Sequence, residues 1–255
     1  RKEARFMYIA SSYVRAESLD EAWELNQKRN NKIMGGNCWL RMGKNNNINT
    51  IISLSKLGLD KIEETDSEFK IGAMVTLRQI ETNESLNNFF DNTIKEAVES
   101  IVGVQFRNMA TVGGSIWGRF GFSDVLTIML ALGAKVELHK TGIVPIEEFI
   151  DMEHNNDILV AVIVPKNNLK VAYDTVRLSK TDFPLLTCAV SVIEDKMRVV
   201  IGARPTKARF FDCNINTETD EVCSKFNFGT NMRATAEYRE QVAKVLVNRC
   251  RKVVQ

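Results

Sequence analysis

Apolar residues recur at helical spacing in some stretches of this chain and at every second position in others, and the two periods alternate through most of its length. Arg5–Ile9 reads as a strand. Ser18-Leu19-Asp20-Glu21 then forms a capping box, with Ser18 at the N-cap, and Leu19, Ala22, Trp23 and Asn26 repeat on one face, which predicts a short helix ending near Asn30. Ile33-Met34 is a small strand, and Ile48–Leu54 follows the polar run Lys44–Asn47 as another, giving a β-α-β order. Phe69–Ala73 alternates as a strand, and Thr76–Glu81 opens a short helix or turn. Ile94, Ala97, Val98 and Ile101 mark an amphipathic helix that Gly103 closes at C′. Ser123-Asp124 caps an apolar helix running to about Leu132, where Gly133 ends it, and Lys135–Leu138 and Ile158–Val164 are strands.

Past the stretch Lys166–Lys170, which reads as a short hinge, the helical alternation stops. Val171–Leu178, Leu186–Ile193 and Met197–Ala203 are consecutive strands, the last two joined across Glu194-Asp195-Lys196, so an antiparallel meander is expected. It leads to a long helix from Arg233 to about Arg251, with Tyr238, Val242, Val245, Leu246 and Arg249 expected on one face.

The bulk properties narrow the partners. Basic and acidic residues nearly cancel to a net charge of +2 and form no long block of one sign, so nothing in the charge calls for nucleic acid or an anionic membrane. The five cysteines are widely spaced with no C-x-x-C pair, and His139 and His154 are the only histidines, so neither a zinc site, nor an iron–sulfur cluster, nor a histidine-rich metal centre is expected, and each histidine reads as a surface or strand-end residue and not a ligand. The thiols are expected to be reduced. The apolar run from Val125 to Ala134 is far short of a bilayer span, and with no signal-peptide pattern the expected location is cytoplasmic.

Two glycine pairs carry the candidate chemistry: Ile33-Met34-Gly35-Gly36-Asn37-Cys38 and Thr111-Val112-Gly113-Gly114-Ser115-Ile116. Paired glycines can take φ > 0 and let main-chain N–H groups converge on an anion, so the two segments read as halves of one diphosphate cradle. Tight turns are the plain alternative for either pair. Two common nucleotide motifs are excluded. The interval from Gly36 to Gly43-Lys44 is too long for a P-loop, with Asn45 where a Ser or Thr would ligate magnesium, and Gly113-Gly114-Ser115-Ile116-Trp117-Gly118 has the wrong register for a Rossmann fingerprint.

At these residues the chain resembles the FAD-binding subunit, or middle domain, of molybdenum hydroxylases, the xanthine dehydrogenase and carbon monoxide dehydrogenase group. Gln105-Phe106-Arg107-Asn108-Met109-Ala110-Thr111-Val112-Gly113-Gly114 is similar to that family's most diagnostic stretch. Tyr13–Ala22 resembles its opening segment, Ile33–Cys38 its first flavin loop, Phe69–Thr76 its middle strand, and Ser123-Asp124 follows in the matching place. The resemblance covers nearly the whole chain. It implies an α+β protein of the p-cresol methylhydroxylase type, with FAD-binding subdomains over 1–57 and 58–166 and an antiparallel sheet plus helix over 167–255.

Carried over residue by residue, it implies that Met34, Gly35, Gly36, Asn37 and Cys38 hold the FAD diphosphate from one side and Thr111, Gly113, Gly114 and Ser115 from the other. Asp124 would accept hydrogen bonds from flavin hydroxyls, alone or together with a role as helix N-cap. Arg107 is expected to anchor its loop, ahead of the alternative that it faces a carboxylate. The chain departs from the family pattern at Met34 and Asn37 (commonly Ala and Thr), at Ser115 (often Asn) and at the bulky Trp117, Arg119, Phe120 and Phe122. Arg177 and Lys180 fall near the region that approaches the flavin in relatives, without an assigned contact. The implied function is an electron outlet: FAD takes electrons from a 2Fe-2S subunit, itself served by a molybdopterin subunit, and passes them to NAD, another carrier or oxygen. The apolar strand faces and the last helix would dock those partners. A self-contained FAD-dependent oxidoreductase of the same fold, or a scaffold that has lost flavin, are the alternatives.

Overall fold

The computed structural model describes residues 8–42 and 47–255. The part of the first predicted strand before Tyr8 and the run Lys44–Asn46 lie outside the described residues. The N-terminal unit comprises β1 (Ile9–Arg15), α1 (Leu19–Asn26), β2 (Lys32–Met34), α2 (Cys38–Met42) and β3 (Asn47–Ser53). Its strands form a parallel sheet in the order β1-β3-β2. The capping signal at Ser18 is real: its hydroxyl accepts the Glu21 N–H at 3.0 Å, and the Glu21 carboxylate reaches back to the Glu17 N–H at 2.7 Å. Parallel pairing requires a crossover between strands, which α1 supplies while burying Ala22 against Ile52 and Leu54.

The middle unit runs through β4 (Ile62–Glu64), β5 (Glu68–Gly72), α3 (Leu77–Thr82), α4 (Glu84–Phe89), α5 (Thr93–Glu99), α6 (Val104–Arg107), α7 (Val112–Trp117), α8 (Asp124–Ala131), β6 (Lys135–Leu138), β7 (Gly142–Pro145), α9 (Ile146–Phe149) and β8 (Leu159–Pro165). Its sheet has the order β4-β5-β8-β6-β7, antiparallel throughout. The third unit is β9 (Lys170–Arg177), β10 (Pro184–Ile193), β11 (Lys196–Gly202), β12 (Arg209–Asn214), α10 (Thr219–Ser224) and α11 (Ala236–Val254), with sheet order β12-β11-β10-β9. Every residue of α8 is buried, and its Ser191 and Thr187 partners on β10 tie the middle unit to the third sheet through Ser191 Oγ to Ala131 O (2.7 Å) and Thr127 Oγ1 to Thr187 Oγ1 (2.9 Å). No helix among the described residues is long and apolar enough to cross a membrane.

Several local expectations need correction. Gly103 does not close the helix over Ile94–Ile101. That helix stops at Glu99, the left-handed residue after it is Val102 (φ 51°), and Gly103 is extended and precedes α6. Gly133 does end its helix, at φ 62°, with Ala134 N–H bonded to Met129 O and Gly133 N–H to Leu130 O. The last helix begins after Thr235, and its buried face is Arg239, Ala243, Leu246, Val247, Cys250 and Val254, which shares only Leu246 with the expected stripe, Val242 packing at its edge. Tyr238 and Val245 are about half exposed. An apolar stripe misplaces this face because an arginine lies in the middle of it: the Arg239 guanidinium is matched to the carbonyls of Leu185, Gly229 and Ala234 and to the Asn231 side chain.

Candidate functional site

The two glycine pairs, distant in sequence, meet in space. A Cβ on Gly36 would fall 1.7 Å from Met109 O and 3.0 Å from Ala110 Cα, and one on Gly35 would fall 2.8 Å from Thr111 Oγ1. The second pair is held from behind by β5 and the turn after it. Gly113 N–H donates to Ala73 O at 2.9 Å, Val112 N–H to Val75 O at 2.8 Å, and a Cβ on Gly113 would sit 2.6 Å from Ala73 O. Glycine is therefore needed here for close main-chain approach. Positive φ, the other reason anticipated from sequence, does not apply, since among the described residues the glycines with positive φ are Gly58, Gly133 and Gly142. The left-handed residue of the first segment is Asn37 (φ 59°), whose Oδ1 accepts the Tyr8 hydroxyl at 3.0 Å.

The two segments differ in what they offer. Among the described residues, the N–H groups of Gly35, Gly36 and Asn37 find no protein acceptor. In the second segment, the pair lies inside the short helix α7 and not in a loop. Gly113 and Ser115 already donate to Ala73 O and Thr111 O, and Gly114 N–H is capped by Thr111 Oγ1 at 3.2 Å. The amides of the first segment have no acceptor among the described residues, whereas in the second the Ser115 hydroxyl already donates to Thr111 O at 3.0 Å and Thr111 Oγ1 accepts from Gly114.

A cavity opens on each side of this contact. One, of about 460 Å³, is lined by Gly35, Thr111, Gly113 and Gly114 and on its far wall by Lys32 and the run His154–Leu159. The other, of about 330 Å³, is lined by Ser115, Asp124 and Arg177 among the aromatic side chains Trp39, Phe120, Phe122 and Phe183. Of the predicted site residues, Gly35, Thr111, Gly113 and Gly114 line the first cavity and Ser115 and Asp124 the second. Met34, Gly36, Asn37 and Cys38 line neither cavity. Gly36 forms the contact itself, Met34 ends β2, and the Cys38 thiol turns back toward Gly36 O at 3.5 Å, its pKa pushed up by burial.

Asp124 is the first residue of α8, and the N-cap is its neighbour Ser123, whose Oγ accepts the Leu126 N–H at 3.1 Å. The N-cap role anticipated for Asp124 is corrected accordingly. The carboxylate is buried, and one oxygen accepts from both the Tyr173 hydroxyl and the Arg177 guanidinium. Burial raises the Asp124 pKa, against the opposing pull of Arg177 and Tyr173. Tyr173 is pushed well up by burial and by the carboxylate beside it. Tyr173 was invisible in the sequence, where it looks like any strand aromatic. Arg177 and its spacing were visible, but nothing local showed that β9 would deliver it to Asp124.

The bulky residues after α7 pack with Trp39 into one cluster. Ring centroids lie 5.0 Å apart for Trp39–Phe120 and for Trp39–Phe122, and 4.6 Å apart for Phe122–Phe183, while Phe120 and Phe122 stack 6° from parallel. Arg107 faces a carboxylate and braces its segment at once: it is bidentate on Glu81 (2.7 and 3.1 Å) and donates to Ile101 O. His154 was expected at the surface or a strand end. It is exposed, yet it lines the larger cavity, and burial together with Arg119 and Lys207 holds its pKa below the ordinary imidazole range.

Residues 7–167 match the family model described as the FAD binding domain in molybdopterin dehydrogenase. The protein YgfM of Escherichia coli (strain K12) is 24% identical over 249 residues, covering 94% of this chain and 94% of that protein. The glyceraldehyde dehydrogenase medium chain of Sulfolobus acidocaldarius is 25% identical over 276 residues, covering 95% of this chain and 98% of that one. Reconstituted CO dehydrogenase from Oligotropha carboxidovorans contains a chain of the same fold, with a TM-score of 0.86 at 19% identity over 97% of this chain and 98% of that chain.

Proposed function

This chain belongs to the family of FAD binding domains in molybdopterin dehydrogenases, and from that premise we propose that it is the electron outlet of a multi-subunit molybdenum hydroxylase. The fold is the p-cresol methylhydroxylase type, the cofactor is FAD, and the chain is an oxidoreductase subunit. In the proposed assembly a 2Fe-2S subunit delivers electrons, a molybdopterin subunit oxidises the substrate, and NAD or another acceptor receives the electrons. Bound FAD supplies the chemistry that joins single-electron delivery to two-electron release.

The observation that carries the reading is the main-chain contact of Gly36 with Met109 and Ala110, with a cavity on either side. A dinucleotide has the matching form, with two bulky ends joined by a doubly charged link. The N–H groups of Gly35, Gly36 and Asn37, which find no acceptor among the described residues, replace hydration lost by the diphosphate, and Thr111 and Ser115 each line one of the two cavities. The larger, asparagine-bearing cavity suits the adenosine end, and the aromatic one suits the flavin ring and keeps water from its faces. Parts 1–57, 58–166 and 167–255 each contribute in this reading: Gly35 from the first, Thr111 and Ser115 from the second, and Arg177 and Phe183 from the third.

The test is flavin binding by Gly114→Val. A Cβ at Gly114 would meet no backbone outside its own helix, only the Thr111 hydroxyl at 3.2 Å, so the substitution fills the cavity wall with a smaller clash than one at Gly36. FAD affinity is expected to fall by roughly 100-fold, or ~3 kcal/mol, as the diphosphate is kept from its main-chain partners. His139→Ala is the control, since His139 is hydrogen-bonded to Asp20 at 2.9 Å and lines neither cavity. Equal FAD retention by the two variants would defeat the assignment of the glycine segments. Purification of the native assembly tests the partner reading, which fails if no iron–sulfur and molybdenum polypeptides accompany the chain.

A pH dependence also follows from His154. In the free protein its depressed pKa means that the unfolded chain holds the proton more tightly, so lowering the pH through the imidazole range costs stability. A diphosphate held at the Gly35 and Thr111 end of that cavity favours the protonated ring and reverses that sign. FAD affinity measured by fluorescence titration should therefore rise several-fold from pH 8 to about pH 5.5, and the rise should be absent in His154→Gln.

A further inference from the structure

Val102 borders the aromatic cavity in a backbone conformation that its side chain disfavours. Among the described residues, eight that are not glycine have positive φ, and four of these are Asn30, Asn37, Asp91 and Asn92, types whose short polar side chains suit the left-handed region. Val102 (φ 51°) is the only β-branched one, and the only one of the eight that lines either cavity of the site. A branched Cβ crowds the main chain at such an angle. Burial offsets little of that cost, since Val102 is 46% exposed.

The main chain on either side is fastened so that the angle is held. The Arg107 guanidinium donates to Ile101 O at 3.1 Å, just before Val102, and the Arg107 main-chain N–H donates to Gly103 O at 3.0 Å, just after it. Arg107 is in turn fixed by the buried Glu81 carboxylate. Gly103, which could take a left-handed angle without a Cβ penalty, is extended instead, so the unfavourable angle falls on the valine beside it. A residue in such a state persists where its surroundings over-determine it, and residues of this kind gather at ligand clamps.

We propose that Val102 is a contact for the cofactor: its isopropyl group packs against the flavin ring lodged in the aromatic cavity, and the Arg107–Glu81 pair holds it in place for that contact. The inference rests on the FAD reading above and adds to it a residue that recognises the ring. Bound FAD covers an apolar group that the free protein leaves half exposed, which supplies the favourable term missing from the protein alone.

The experiment uses the full chain freed of cofactor. It measures the melting temperature, the affinity for FAD, and, by competition with FAD, the affinity for ADP, which shares the adenosine and diphosphate but has no flavin ring. Val102→Asn suits the left-handed angle and removes the isopropyl group. It should melt about 2–4 °C above the wild type, bind FAD roughly fivefold more weakly and bind ADP as the wild type does. Val102→Gly should show the same loss for FAD, which separates the missing isopropyl group from any effect of the asparagine amide. A valine that merely packs within the protein would lower the melting temperature when replaced by asparagine, and that result would overturn the inference. Unchanged FAD affinity, or an equal loss for FAD and ADP, would overturn it too while leaving the FAD assignment standing. A wild-type chain that fails to bind FAD, or binds it without competition from ADP, would remove the FAD assignment to these cavities, and the inference with it.

Discussion

Gly36→Ala is expected to unfasten the two halves of the site. Its methyl group would be placed 1.7 Å from Met109 O, and the obstacle is main chain, so no side chain can swing aside. Either the segment after β2 or the segment before α7 must retreat by more than an ångström, and the latter is fixed by Val112 N–H to Val75 O and Leu77 N–H to Ala110 O, both 2.8 Å. The cost of such overpacking is about 3 kcal/mol, or on the order of 6–10 °C in the melting temperature of a protein this size. FAD affinity should fall along with stability. That pairing of effects distinguishes Gly36→Ala from Gly114→Val, which is expected to lose FAD with a nearly unchanged melting curve. Calorimetry and flavin titration on both variants check the contrast, and a Gly36→Ala protein that melts like the wild type would refute the proposed contact.

Glu81→Ala should be the more damaging change to the fold, by about 3–5 kcal/mol, because it leaves the Arg107 guanidinium buried without its counter-charge. Both side chains are under 8% exposed, and their bidentate contact anchors the end of α6, which leads directly into Met109 and Ala110. Replacing both residues by methionine should recover much of the loss, since two apolar side chains of similar size need no pairing. The effect has a defined pH dependence. Burial alone would raise the Glu81 pKa, but hydrogen bonds from Arg107 and Arg78 outweigh it and hold the carboxyl below its ordinary range. A folded-state pKa below the unfolded one stabilises the protein above the unfolded value and loses that contribution as the pH falls through the folded value. The gap between wild type and Glu81→Ala in urea unfolding should therefore be full at neutral pH and shrink under acid conditions. A gap that persists unchanged in acid would show that the ion pair is not its source.

Local signals made some of the helix ends legible. Ser18 with Glu21 and Gly133 do at their positions what short-range chemistry requires, whereas Gly103, an equally local signal, closes no helix. Legibility failed where distant chain supplies the partner. The buried face of α11 could not be found because Arg239 answers carbonyls from β10 and from the loop before the helix. Within the site, the glycine segments were recognisable from composition and order, but the reason for them was not. Sequence offers φ > 0 as the usual explanation, whereas the structure requires bare Cα atoms so that two main chains can touch. Trp39 comes from the first part of the chain and Tyr173, Arg177 and Phe183 from the last, and no spacing rule connects them. His154 was set aside as peripheral because its exposure is all that its neighbours in sequence reveal.

The touching of Gly36 with Met109 and Ala110 is made by the polypeptide alone, so the entropy of bringing these far-apart stretches together is spent during folding and not when the coenzyme arrives. The apoprotein thereby keeps a receptor already shaped for its guest, and variation at Met34, Asn37 or Ser115 can accumulate around it without dismantling the seat.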